Sequence, residues 1–336
     1  MSGIISNNKS RSSGLVKTAT AIPVIAGDKS PVSVGDVWYN SSSTELRAYL
    51  LIQAWSAGGA LSGVRRSAMG FGLLGAAAVA GGKDASNNLG TTEEYNGTSW
   101  SSGGATGVDA HGTGQGGLQT AGIKSSGYTS DYQAGSEIYD GSSWSSITNL
   151  PVNRYEAGAL GTQTAYGTFG GAVESGGSST SDTMNIWNGS SWATGGTLNA
   201  ASHHPVGCGT TTAGLRVGGL YPTSTTVNVV EEYNGTDWTT VTAYPTTITH
   251  APIAGLQTDA LVVSGKTNNA TSAVTDDCYS YDGTNWTQTT DFPNTSYLGG
   301  MSKNDTAASS STLHFGGYNG SPVTANTWEW ADGNQN

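Results

Sequence analysis

Tyr95-Asn96-Gly97-Thr98-Ser99-Trp100 is the stretch whose recurrence decides the architecture. Close relatives of it follow along the chain: Tyr139-Asp140-Gly141 before Trp144, Trp187-Asn188-Gly189 before Trp192, Tyr233-Asn234-Gly235 before Trp238, and Tyr281-Asp282-Gly283 before Trp286. Asn-Gly and Asp-Gly are strong hairpin signals because both residues accept the positive φ of a type I′ turn. Each unit therefore reads as strand, tight turn, strand. With Trp55 the series has six tryptophans, separated by 45, 44, 48, 46 and 48 residues.

Upstream of each unit an apolar run ends in a small-residue doublet. The six are Gly81-Gly82, Ala121-Gly122, Gly170-Gly171, Gly218-Gly219, Ser264-Gly265 and Gly316-Gly317. A period of this length, rich in Gly and aromatics, is the mark of a β-propeller blade. The ends of the series are permuted. Trp55 precedes the first doublet, while the last unit, Trp328-Glu329-Trp330, runs to Asn336 without a closing tryptophan strand. The strand around Leu51 to Trp55 is thus expected to complete the last blade, which would leave no exposed edges. The expected fold is all-β: a six-bladed propeller closed by an N-terminal strand, preceded by an extended arm and a small hairpin.

The register resembles the kelch motif, which combines a Gly doublet, an aromatic before a turn, a Trp, then a Pro and a basic residue. Leu150-Pro151-Val152-Asn153-Arg154, Gly170-Gly171, Trp187 and Trp192 carry it most fully, and Tyr244-Pro245 and Phe292-Pro293 repeat the Pro mark. The resemblance covers roughly residues 51 to 333. A WD-repeat pattern fails, because no Trp-Asp dipeptide closes a unit.

Composition supports an all-β chain of short strands and turns, with 50 glycines in 336 residues and only 11% charged residues. A net charge of −11 argues against a nucleic-acid partner, which needs a basic face to displace counterions. No stretch of 18 apolar residues offers a membrane span, and Met1-Ser2-Gly3-Ile4-Ile5-Ser6-Asn7-Asn8 lacks the pattern of a signal peptide. Cys208 and Cys278 read as buried free thiols without metal-ligand spacing, so neither metal nor cofactor is expected.

Residues 1 to 50 differ from the rest. Ser2 to Ala21 reads as an extended polar arm, and Gly35 to Tyr49 as a hairpin around the polar turn Asn40-Ser41-Ser42-Ser43. Residues 34 to 60, together with Gly/Thr-rich runs such as Gly161-Thr162-Gln163-Thr164-Ala165, resemble a motif of tail-fibre and other virion proteins of bacteriophages, marine ones especially. That resemblance implies a virion protein whose residues 1–50 attach it to other virion proteins, with residues 51–336 forming the propeller. It also implies a place in the particle, with assembly in the host cytoplasm. Repetition around a symmetric particle would make it a homo-oligomer.

Counting on from each tryptophan gives a second series. Ten to twelve residues later stand Arg66 with Arg65 beside it, His111, Arg154, His203 followed by His204, His250, and Tyr297. In a propeller this position lies where the outer strand hands over to the next innermost strand, so the side chains would converge on one channel mouth. Two readings stay open there: basic residues bracing neighbouring loops, or a donor-rich mouth for acidic or phosphate-bearing glycans. The regular tryptophans themselves read as packing between blades.

The chain is read as non-enzymatic. Its turn unit is similar to the Asp-box of sialidases, but Asp140 and Asp282 directly precede Gly, and no paired-carboxylate spacing stands out. A sialidase-like glycosidase is the remote alternative. Two other readings lead: a tail-fibre or receptor-binding component that recognises host-surface glycan, and a capsid, neck or tail decoration protein whose propeller is purely structural.

Overall fold

A computed structural model describes residues 22–27, 29–30, 36–48, 50–68, 70–173, 179–221, 224–270, 273–302, 309, 311–320 and 322–335. The expected arm, 1–21, lies outside the described residues. Among those described there is no helix, and the chain is all-β and propeller-like, dominated by four-stranded sheets. It divides into two compact units, residues 1–52 with 334–336, and Gln53–Gly333.

In the first unit Val37–Asn40 pairs antiparallel with Glu45–Ala48, the hairpin expected from the sequence. Val24–Ile25 adds a parallel third strand. The Asn40 side-chain oxygen accepts from the amides of Ser42 and Ser43 at 3.0 and 3.1 Å, which closes the turn. Asn is favoured there because its short amide can replace a backbone acceptor.

Six four-stranded sheets follow. We number them by their first strands: I, Gly70–Leu73; II, Gly114–Leu118; III, Gly158–Thr162; IV, Val206–Thr210; V, Ile253–Leu256; VI, Gly300–Met301. Sheets I to V are antiparallel meanders in chain order, with IV set aside from the small ribbon Leu220–Tyr221 and Thr225–Thr226. Sheet VI takes its last strand from the other end of the chain, with Leu50–Ala57 beside Thr327–Gln335.

Each sheet shares an apolar cluster with the next. Phe71, Ala78 and Ala80 of sheet I meet Tyr139 of sheet II. Ile123 of II meets Ala159, Tyr166 and Trp187 of III. Leu160 and Phe169 of III meet Tyr233 and Trp238 of IV. Leu215 and Val217 of IV meet Ile253 and Tyr281 of V. Val263 and Cys278 of V meet Met301 and Trp330 of VI, with Trp55 against them. Leu313 and Phe315 of VI return to Val79 and Tyr95 of I. Burying this much aliphatic and aromatic surface is the main stabilising term, at about 25 cal/mol per Å². The tryptophans sit in these seams, as Trp100 against Phe315 (5.4 Å) and Trp238 against Phe169 (5.0 Å) illustrate.

Two local expectations are corrected. The turn units are four-residue loops: Tyr95 pairs with Trp100, and only Gly97 has positive φ (91°). Asn96 is not in the left-handed region; its side chain accepts from the amides of Thr98 and Ser99 at 3.0 and 2.9 Å. Asp140 and Asp282 make the same bonds, so side-chain capping selects Asn or Asp, where a type I′ turn would need two positive φ values. In sheet II the left-handed doublet is Ser126-Gly127 (φ 64° and 116°), five residues after the expected Ala121-Gly122. Ala121 and Gly122 lie within the strand Ala121–Ser125, paired with Leu118 and Gly117. Cys208 and Cys278 are both buried.

Candidate functional site

The segment entering each sheet carries three positions with different fates. The outermost of the three turns into its own sheet. Arg65 is 2% exposed; its guanidinium donates to the carbonyls of Gly81 (2.6 Å) and Thr91 (2.9 Å) and to Glu93 (2.9 Å). Arg154, fully buried, donates to the carbonyls of Gly170 and Thr183, to the Thr183 hydroxyl and to Asn185. Burial pulls the Arg154 pKa down to about 10, which leaves it charged at neutral pH. Both guanidiniums act as braces inside their own sheets, whereas the structural reading of the basic series expected bonds to neighbouring loops.

The same third-strand position is braced in four sheets. Glu93, Glu137, Asn185 and Glu231 are each the second residue of their strand. Lys124 meets Glu137 at 2.6 Å and Arg216 meets Glu231 at 3.4 Å, so here the cation comes from the second strand instead. A buried carboxylate without its partner is costly, so either source of cation suffices but one must be present.

The middle position holds Arg66, His111, Tyr155, His203, Thr249 and Tyr297. Each makes an isolated antiparallel bridge to the left-handed-doublet region of its own sheet, such as Arg66 with Lys83 and Tyr297 with Tyr318. Arg66 lies over the Tyr318 ring at 5.0 Å. The His111 Nδ1 is 2.7 Å from the Asn88 side-chain oxygen, and its Nε2 is 3.2 Å from the Tyr155 hydroxyl. Burial lowers the His111 pKa to about 4.

The innermost position holds Ser67, Gly112, Glu156, His204, His250 and Leu298. All six have positive φ, between 51° and 63°. Their backbones link to one another: Ser67 donates to Leu298 (2.8 Å), Gly112 to Ser67 (2.8 Å), Glu156 to Gly112 (3.1 Å), His204 to Glu156 (3.2 Å) and Leu298 to His250 (3.0 Å). All six line one cavity of about 60 Å³. Left-handed conformations at non-glycine residues cost on the order of 1 kcal/mol or more each and concentrate where structure is over-determined.

Two residues of this lining, His204 and His250, belong to an arc of polar aromatic rings. Ring centroids are 5.4 Å apart for Tyr318 and Tyr297, 6.0 Å for Tyr297 and His250, and 3.6 Å for His250 and His204. The arc continues from His204 to His203 (4.2 Å), from His203 to Tyr155 (6.0 Å) and from Tyr155 to His111 (5.5 Å). Burial raises Tyr155 and Tyr297 and lowers His204 and His250, which favours uncharged rings at neutral pH.

The series read from sequence is therefore split: Arg66, His111, His203 and Tyr297 are bridge residues, His204 and His250 face the cavity, and Arg65 and Arg154 are withdrawn. Glu156 and Tyr155 were missed. Strict register would have found them: Trp144 plus 11 is Tyr155, as Trp192 plus 11 is His203, and Trp144 plus 12 is Glu156, as Trp192 plus 12 is His204 and Trp238 plus 12 is His250. No protein-family model matches the sequence, and no curated protein matches it.

Proposed function

We propose that this chain is a non-enzymatic virion component of a bacteriophage whose propeller presents the aromatic arc to host-surface glycan. In this reading the six sheets are blades of one ring, closed by Leu50–Ala57, and the cavity marks its axial mouth. The cyclic order of the six apolar clusters supports closure, and so does the contact from Tyr95 in sheet I to Glu329 in sheet VI. The phage assignment rests on the sequence resemblance of residues 34 to 60.

The observation that carries the binding reading is the arc itself. Imidazole and phenol rings offer flat apolar faces beside hydrogen-bonding edges, the combination that sugar rings require. With Arg65 and Arg154 committed inside their sheets, Arg66 is left as the arginine at the arc. That shifts the ligand class from acidic glycans toward hydroxyl-rich ones. The second reading, a decoration protein with a purely structural propeller, draws on the buried polar braces inside four of the sheets.

Immunogold labelling of intact particles with an antibody against residues 53–333 separates the two. Label at the tail tip or fibres agrees with receptor binding. Label over the head or along the tail selects decoration, and particles without label would remove the virion assignment altogether.

A further inference from the structure

The geometry points to a binding site for one divalent first-row transition ion at the cavity, formed by Glu156, His203 and His204. The Glu156 carboxylate oxygen lies 3.0 Å from His203 Nε2 and in hydrogen-bonding contact with His204 Nε2. The three donor atoms all fall within 4.8 Å of one another. Two imidazoles and a carboxylate converging in this way suit zinc and its neighbours, which take nitrogen and oxygen donors at about 2.0–2.2 Å.

Two features favour an ion over a simple internal ion pair. First, Glu156 and His204 hold left-handed backbone conformations (φ 51° and 53°) and are joined by a backbone bond of 3.2 Å, so two donors are set before any ion arrives. Second, His250 stacks on His204 at 3.6 Å, and its buried Nδ1 has no hydrogen-bond partner among the described residues. Because Glu156 enters sheet III and His203 and His204 enter sheet IV, the ion would tie two neighbouring sheets together. This inference does not depend on glycan binding or on the virion assignment.

The test is a zinc titration of the full chain against a chromophoric chelator, with cobalt absorption as the readout of ligand geometry. The site predicts one equivalent of zinc per chain, d–d bands with cobalt, and a melting temperature raised by zinc. Glu156→Gln and His203→Phe should each weaken zinc at least tenfold, while His314→Leu, remote in the sequence register, should leave it unchanged. Uptake that is absent, or equal in wild type and both variants, overturns the site. Should the variants fail to fold, the wild type still decides. Zinc must slow diethylpyrocarbonate modification of the peptide carrying His203 and His204, read by mass spectrometry, and an unchanged rate overturns the proposal.

Discussion

The Tyr95 hydroxyl donates to the Glu329 carboxylate at 2.5 Å, joining residues 234 positions apart in the chain. Tyr139 does the same to Glu94 and Tyr281 to Glu232, both at 2.9 Å and both between consecutive sheets. The link between the first and last sheets thus repeats the link used inside the series. In each case the phenol's pKa is raised, by burial first and by its carboxylate partner second, so it stays a donor.

If the sheets close on themselves, Tyr95→Phe should cost as much stability as Tyr139→Phe. Each change removes a hydrogen bond to a charged acceptor, a loss of about 1.5–3 kcal/mol. Urea unfolding monitored by tryptophan fluorescence checks this. A Tyr95→Phe protein as stable as wild type, beside a weakened Tyr139→Phe, would mean that sheets I and VI do not form a working seam.

The buried braces give a sharper contrast. Arg65→Met strands Glu93 in a site that is 3% exposed, and a loss of about 3–5 kcal/mol is expected. The double variant Arg65→Met/Glu93→Leu should recover most of it, because an apolar pair avoids the desolvation of both charges. Thermal melts of the three proteins decide the point. Equal losses for the single and double variants would show that the guanidinium's bonds to Gly81 and Thr91, rather than its charge, hold the segment.

His314 supplies a pH dependence. It is 1% exposed, packs 4.3 Å from the Phe292 ring, and neither ring nitrogen has a hydrogen-bond partner among the described residues. Burial lowers its pKa from 6.5 to about 3. Below pH 6.5 the unfolded chain therefore binds a proton that the folded chain refuses. Stability is intact above pH 6.5 and falls as pH drops toward 3, by up to about 1.4 kcal/mol per pH unit from this group. His314→Leu should flatten the acid limb between pH 6 and 4 by that slope. Parallel acid limbs for wild type and variant would place the titration elsewhere.

The sequence made the repeat legible because turn chemistry and seam packing both demand specific residue types. Gly97 and its equivalents need positive φ, and each tryptophan of the series packs against a cluster shared by two sheets. The arc was harder to read. Adjacent residues such as Arg65 and Arg66, or Arg154 and Tyr155, alternate in direction along an extended segment, so a slip of one position exchanges a buried brace for a bridge residue of the arc. Allowing ten to twelve residues after each tryptophan blurred three positions into one. Glu156 escaped because a lone glutamate beside Tyr155 carries no motif; only its backbone conformation and its alignment with His204 and His250 reveal it. The doublet of sheet II was misplaced because Ala-Gly within a crowded strand has the same composition as a left-handed pair.

The arc is tested most directly by titrating the full-length protein against polysaccharide from the host envelope, by biolayer interferometry, beside Tyr318→Ala and Arg66→Ala. Tyr318 and Arg66 are half-buried at the end of the arc and contact each other at 5.0 Å, so their loss should leave the melting temperature close to wild type. The glycan-receptor account predicts saturable binding that weakens about tenfold in each variant, about 1.4 kcal/mol. Absence of binding to any envelope polysaccharide, or binding indifferent to both substitutions, would contradict it.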